Sequence, residues 1–254
     1  MKNVFTFLLL LFSLLCNGQS PKLFTTDKEL SSSLINQIYQ DRNGFIWIAT
    51  EDGLNRYDGA KFTIYKHEPN NEHSLAHNFV RTVFEDSKGH LLIGTYIGIQ
   101  MYDPATDNFT PLAKLEDTGE TLESNINSFI ERKNGEIWVS GNVLCKLDIK
   151  DHLLTVRKVD IAVTSPGSLF EDKKQNVWMA KGEEGVYQLT PDNQLTLHLS
   201  KDNGYVKSIC EDQRGNIYVG SIRKGLFIYD KERKTFVPVD LKEKGELPVC
   251  FLYS

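Results

Sequence analysis

The stretch DRNGFIWIATEDGLNRYD, residues 41–58, returns four times along the chain. It comes back as DSKGHLLIGTYIGIQMYD from Asp86, RKNGEIWVSGNVLCKLD from Arg132, DKKQNVWMAKGEEGVYQL from Asp172 and DQRGNIYVGSIRKGLFIYD from Asp212. Its anchor position holds Trp47, Leu92, Trp138, Trp178 and Tyr218, separated by 45, 46, 40 and 40 residues. A period of about 40–50 residues containing four short strands is that of one propeller blade. The expected fold is therefore all-β: a β-propeller of four-stranded blades, about five plus the start of a sixth, making an incomplete ring.

Each repeat reads strand by strand. The first strand is Leu34–Gln40 and its counterparts Phe79–Phe84, Ile126–Ile130, Ser168–Phe170 and Tyr205–Cys210. An Asp-x-x-Gly turn follows at Asp41/Gly44, Asp86/Gly89 and Asp212/Gly215. Asp bonds backbone amides two residues on, and Gly takes the positive φ a short hairpin needs. Arg132 stands where the third repeat would have Asp. Gln175 stands where the fourth would have Gly, which predicts a looser turn there. The second strand is a continuous apolar run, Phe45–Ala49 and its echoes, as suits strands covered on both faces. The third opens on Gly53, Gly98, Gly185 or Gly225, with Val143 in the third repeat. The fourth is Phe62–Tyr65, Phe109–Leu112, Leu154–Val159, Leu195–Leu199 and Phe236–Val239. Blades are thus expected near 34–78, 79–125, 126–167, 168–204 and 205–246, with another starting at 247–254. The Trp residues are read as packing between blades.

Residues 1–20 differ from the rest. Lys2 precedes the apolar run Val4–Leu15, and Cys16-Asn17-Gly18 follows. This is the pattern of a secretory signal peptide, with 21–254 as the exported propeller. An uncleaved anchor and a lipoprotein modified at Cys16 are the alternatives. Cys145, Cys210 and Cys250 then remain, an odd set on different blades without a C-x-x-C spacing, and they are read as buried free thiols. No metal-ligand spacing is present.

Formal net charge is −5 and the isoelectric point near 5.7, which argues against nucleic acid or an anionic membrane as main partner. No nucleophile, zinc or phosphate-loop motif occurs, so no catalytic residue and no cofactor is assigned. His67, His73 and His77 crowd one polar segment without a matching carboxylate, and are read as solvated. Lys231–Lys234 is read as a basic turn.

The units QDRNGFIWIATEDGLNRYDG, EDSKGHLLIGTYIGIQMYD and EDQRGNIYVGSIRKGLFIYD resemble the two-component regulator propeller repeat. The resemblance spans roughly residues 22–254. It implies a periplasmic, non-catalytic sensor region of a Bacteroidetes-type hybrid two-component protein, detecting an oligosaccharide and forming a homodimer when full length. Family members carry more repeats, then a β-sandwich, membrane helix, histidine kinase and receiver; the chain is accordingly expected to be a truncated form. A lyase-like propeller enzyme and a protein-binding scaffold are the alternative readings. Propellers usually bind ligands where the entry to strand one and the loop between strands two and three share a face. That face should collect Glu51, Asp52, Asn78, Arg81, Tyr96, Asn142, Glu183, Tyr205 and Arg223. Lys22–Thr26 is expected to be an outer closing strand. Without a closing partner, it and Pro248–Tyr253 would leave unpaired edges that favour self-association.

Overall fold

The computed structural model describes residues 23–26, 29–199 and 204–240. Every described element is a strand, and each repeat forms one antiparallel sheet whose strands pair in sequence order. Blade one is β1 (Ile35–Gln40), β2 (Ile46–Thr50), β3 (Gly53–Tyr57) and β4 (Phe62–Tyr65). Blade two is β5 (Val80–Glu85), β6 (Leu91–Thr95), β7 (Ile99–Asp103) and β8 (Asn108–Phe109). The chain then contributes β9 (Lys114–Leu115) to the outer edge of the next blade, parallel to β13 (Leu153–Lys158), a pairing the repeat pattern gives no hint of. Blade three is β10 (Ser128–Glu131), β11 (Ile137–Ser140), β12 (Leu144–Lys150) and β13 (Leu153–Lys158). Blade four is β14 (Leu169–Glu171), β15 (Val177–Lys181), β16 (Gly185–Leu189) and β17 (Leu195–Leu199). Blade five is β18 (Val206–Glu211), β19 (Ile217–Ser221), β20 (Gly225–Asp230) and β21 (Thr235–Pro238).

The core lies between blades. One apolar slab joins Trp47, Ala49 and Leu54 to Val80, Val83 and Ile93. The next joins Leu92 and Ile99 to Ile126, Phe129 and Val139. A third sets Trp138 against Leu169, Val177 and Met179, and a fourth sets Trp178 against Val206, Ile209 and Val219. This is why the second strands read as unbroken apolar runs: β6 is buried throughout its length. Among the described residues there is no fifth slab between blades five and one, and the ring is open. Ile38 is 55% exposed, whereas Val83, which holds the same place in blade two, is 1% exposed.

The turn aspartate does more than bend the chain. Asp41 Oδ1 accepts the amides of Asn43 and Phe45, each at 2.9 Å, and its Oδ2 accepts Trp47 Nε1 at 2.8 Å. Asp172 repeats this with Lys174, Asn176 and Trp178. In blade three, where Arg132 replaces Asp, Glu136 Oε2 takes the Trp138 indole at 3.1 Å and the Arg132 guanidinium lies 4.5 Å from the ring centre. The expected looseness at Gln175 is not found. Gln175 takes φ 66° and donates its amide to Asp172 O at 2.9 Å, as Gly44 does to Asp41 O. The aspartate's bonds hold the turn, so a non-glycine residue is forced into the left-handed region.

Leu23–Thr26 forms no strand; instead Phe24 packs on Tyr57 and Phe62 of blade one, with ring centres 5.1 and 5.0 Å apart. The expected closing strand is absent because its aromatic residue finds cover on the outer hairpin of its own blade. The leader at 1–20, Cys250 and Pro248–Tyr253 lie outside the described residues.

Candidate functional site

The first strands of all five blades stand side by side around the axis, and two positions of each face a channel of about 320 Å³. One position holds Gln37, Thr82, Ser128, Ser168 and Ser208, each four residues before its turn. The residue before it supplies Asn36, Arg81, Asn127, Gly167 and Lys207. In blades one, two and five the pairing register slips between Ile35 and Gln37, Val80 and Thr82, and Val206 and Ser208. The skipped residues are Asn36, Arg81 and Lys207, and such a bulge re-aims a side chain out of the ladder. Behind the channel the partner positions stay small: Ala49, Gly94, Ser140 and Gly220 pair with Gln37, Thr82, Ser128 and Ser208. A Cβ at Gly94 would stand 2.6 Å from Ile126 Cγ2, so the blades close in too tightly there for a side chain.

Hydrogen bonds run from blade to blade around this wall. Asn36 Nδ2 donates to Val80 O at 2.8 Å, and Gln37 Oε1 accepts the Val83 amide at 2.7 Å. Arg81 Nη1 donates to Asn127 Oδ1 at 2.6 Å, and Asn127 Nδ2 to Pro166 O at 3.0 Å. Ser128 Oγ accepts the Leu169 amide at 3.3 Å. An aromatic ledge adjoins the cationic part of the wall. The Arg81 guanidinium lies 5.6 Å from the Phe79 ring centre, Phe79 is 6.0 Å from Tyr96, and Tyr96 is 5.6 Å from His77. Tyr96 is 53% exposed, leaving its ring open to a ligand.

Of the residues expected at the site, the structure brings Arg81 and Tyr205 into the channel wall. Asp52 and Asn78 bond each other at 3.1 Å, while Lys66 pairs with Asp52 at 2.7 Å; together they tie blade one to the segment that follows it. Glu51, Asn142, Glu183 and Arg223 sit exposed on separate loops, and Tyr96 on the ledge. The channel positions Asn36, Gln37, Thr82, Asn127, Ser128, Ser168, Lys207 and Ser208 were not singled out from sequence. Their signal was a polar residue four places before each turn, preceded in four of the five repeats by another polar residue, Asn36, Arg81, Asn127 or Lys207.

The remaining polar clusters are structural. Asp107 accepts Tyr65 Oη at 2.6 Å, Tyr102 Oη at 2.5 Å and Arg56 Nη1 at 2.9 Å. Burial opposes its charge, but hydrogen bonds from Tyr102 and Tyr65 and the Arg56 charge outweigh it and hold the carboxyl below its ordinary range. The hydrogen bond from Lys146 likewise pulls Glu136 down to about 2, against its partial burial. His67 and His73 face the carbonyls of Leu75 and Phe109 at 2.9 and 3.1 Å, and His77 Nδ1 accepts the Phe79 amide at 2.9 Å. Cys145 and Cys210 are buried free thiols, and burial pushes Cys145 up to about 11. Among the described residues no group of His, Cys, Asp or Glu is placed to hold a metal, and no helix is long and apolar enough to cross a membrane. Among the described residues neither a histidine nor a carboxylate lines the channel.

Comparison with known proteins bears on what this arrangement is. A histidine kinase, P4, of Formosa agariphila is 37% identical over 83 residues, covering 30% of this chain and 6% of the kinase. The extracellular domain of a one-component system from B. thetaiotaomicron superposes with a TM-score of 0.69 at 18% identity, over 88% of this chain and 33% of that one. The extracellular domain of a hybrid two-component system from the same organism gives 0.53 at 19% identity, over 86% and 36%. Virginiamycin B lyase of Staphylococcus aureus gives 0.61 at 13% identity, over 87% and 74%. At these identities the structures show a shared propeller fold. The chain spans about a third of the length of the two extracellular domains and a much smaller part of the kinase. The family model for the two-component regulator propeller matches residues 29–52, 74–96 and 200–223. In blades one, two and five the sequence is thus similar to the two-component regulator propeller repeat, and the solved structures share the propeller fold that these repeats build.

Proposed function

We propose that the chain is a non-catalytic sensing module of a two-component regulator, exported by its leader, which detects an oligosaccharide at the channel mouth. One observation carries this reading: a polar channel built from every blade opens beside an aromatic ledge in which exposed Tyr96 stands against half-buried His77 and Phe79. Sugars need this combination, hydrogen-bonding groups at their edges and a ring face to stack on. The absence of histidine and carboxylate from the described channel wall separates the reading from that of a propeller lyase, which needs a proton-transfer group near the axis. The likeness to extracellular domains of bacterial signalling systems supports it too.

The test is isothermal titration of the whole chain against a panel of defined oligosaccharides, with Tyr96→Ala alongside. Saturable binding to one group of sugars is expected, weakened several-fold in the variant at unchanged melting temperature, since a stacking contact contributes about 0.5–1.5 kcal/mol. Saturation by no sugar, or full affinity in Tyr96→Ala, would overturn the proposal.

A further inference from the structure

Charge is distributed unevenly in this protein. The chain as a whole carries −5, yet the only charged residues among those lining the channel are Arg81 and Lys207. Neither has a carboxylate within ion-pair distance among the described residues, although most other arginines of the blades do: Arg42, Arg56 and Arg132 pair with Glu85, Asp107 and Glu171. Arg81 is fixed, with Nη1 on Asn127 and its plane near Phe79, and its Nε is buried without a partner. A buried donor left unpaired is costly, more so on a charged group.

Ser208 Oγ is also buried and unpartnered, but the open ring explains it. Gln37 and Ser128, in the same place, accept an amide from the following blade, and no such blade follows among the described residues. That explanation fails for Arg81, because blade three does follow blade two and supplies only Asn127. Arg81 therefore brings an uncompensated positive charge to a cavity whose described lining holds no carboxylate. Arg81 and Lys207 are also both bulge residues, turned inward by the same register slip.

Resting on the sensor reading above, we propose that the ligand is an acidic saccharide. Its carboxylate or sulfate ester is held in the channel by Arg81, with Lys207 adding to the field, while the sugar ring stacks on the Tyr96 ledge. Guanidinium is the group of choice for planar carboxylate and sulfate oxygens, and a walled cleft concentrates its field.

The experiment titrates the whole chain with tetragalacturonate, its methyl ester, a sulfated chondroitin tetrasaccharide, neutral cellotetraose and inorganic sulfate. Binding is expected for an acidic tetrasaccharide, weakening as sodium chloride rises. Arg81→Gln should cost about tenfold in affinity or more, as loss of a charge-assisted hydrogen bond does. Lys207→Gln should cost several-fold. Lys207 is exposed, so that variant keeps the test valid should Arg81→Gln melt early. Equal binding of cellotetraose or the methyl ester, or undiminished affinity in both variants, would overturn the acidic-ligand proposal while leaving a sugar sensor standing. Binding of sulfate with no preference for any saccharide would mean a bare anion site and overturn it too. Failure of every probe would take the sensor reading down with it.

Discussion

Gln175 shows how strongly a single residue can be held by its neighbours. Its repeat position belongs to glycine, and it takes φ 66° because Asp172 fixes both ends of the turn. Left-handed backbone costs a residue with a Cβ about 1–2 kcal/mol. Replacing it by glycine removes that strain at some cost in unfolded-state entropy, so Gln175→Gly should stabilise the protein by about 1 kcal/mol and raise Tm by roughly 2–4 °C. Scanning calorimetry of the two proteins checks this, and an unchanged or lower Tm would mean the turn is not strained. The aspartate was legible in sequence as a turn former; its second bond, to the tryptophan indole six residues on, was not. That bond depends on the tryptophan being buried beside it, which only the packed blade reveals.

Between elements the same device recurs. The Glu closing the first strand of each later blade reaches back to the turn of the blade before. Glu85, Glu131, Glu171 and Glu211 accept the amides of Arg42, Ser87, Lys133 and Lys173 at 2.7–3.1 Å. Basic side chains of Arg42, Lys133 and Lys173 add a second bond, onto the carbonyls of Asp86, Asp172 and Asp212. Blade one has Gln40 at this place, exposed and, among the described residues, with no earlier turn to hold. Glu131→Ala, which also strips the Ser87 hydroxyl of its 2.5 Å partner, should lower stability by about 1.5–3 kcal/mol. Gln40→Ala should change it by less than about 0.5 kcal/mol. Urea melts compare them, and equal effects would mean the carboxylate is not a clasp. Repeat period, strand order and the apolar second strands were all readable in the sequence, because each depends on residues close along the chain. The clasps, the channel wall and β9 were not, because their partners lie a whole repeat away and the motif records only what one blade needs for itself.

For the whole molecule the open ring is the governing fact. Val83 is sealed by blade one, while Ile38, its equivalent, faces no earlier blade among the described residues. Ile38→Ser should therefore cost less than about 0.5 kcal/mol, while Val83→Ser, which puts an unpartnered hydroxyl into a close-packed slab, should cost about 2–4 kcal/mol. Similar losses in thermal melts would show the ring closed in solution. Ile35 and Ile38 are both exposed on the first strand of blade one. The direction of the clasps has a further consequence. Each blade is contiguous in sequence, and the carboxylate that fastens it arrives with its successor. As the chain is made from its N-terminus, every blade can finish its own sheet before the next one emerges and locks it. The propeller is in this sense assembled vectorially, one stave at a time, with each newcomer acting as the jig for the one already in place.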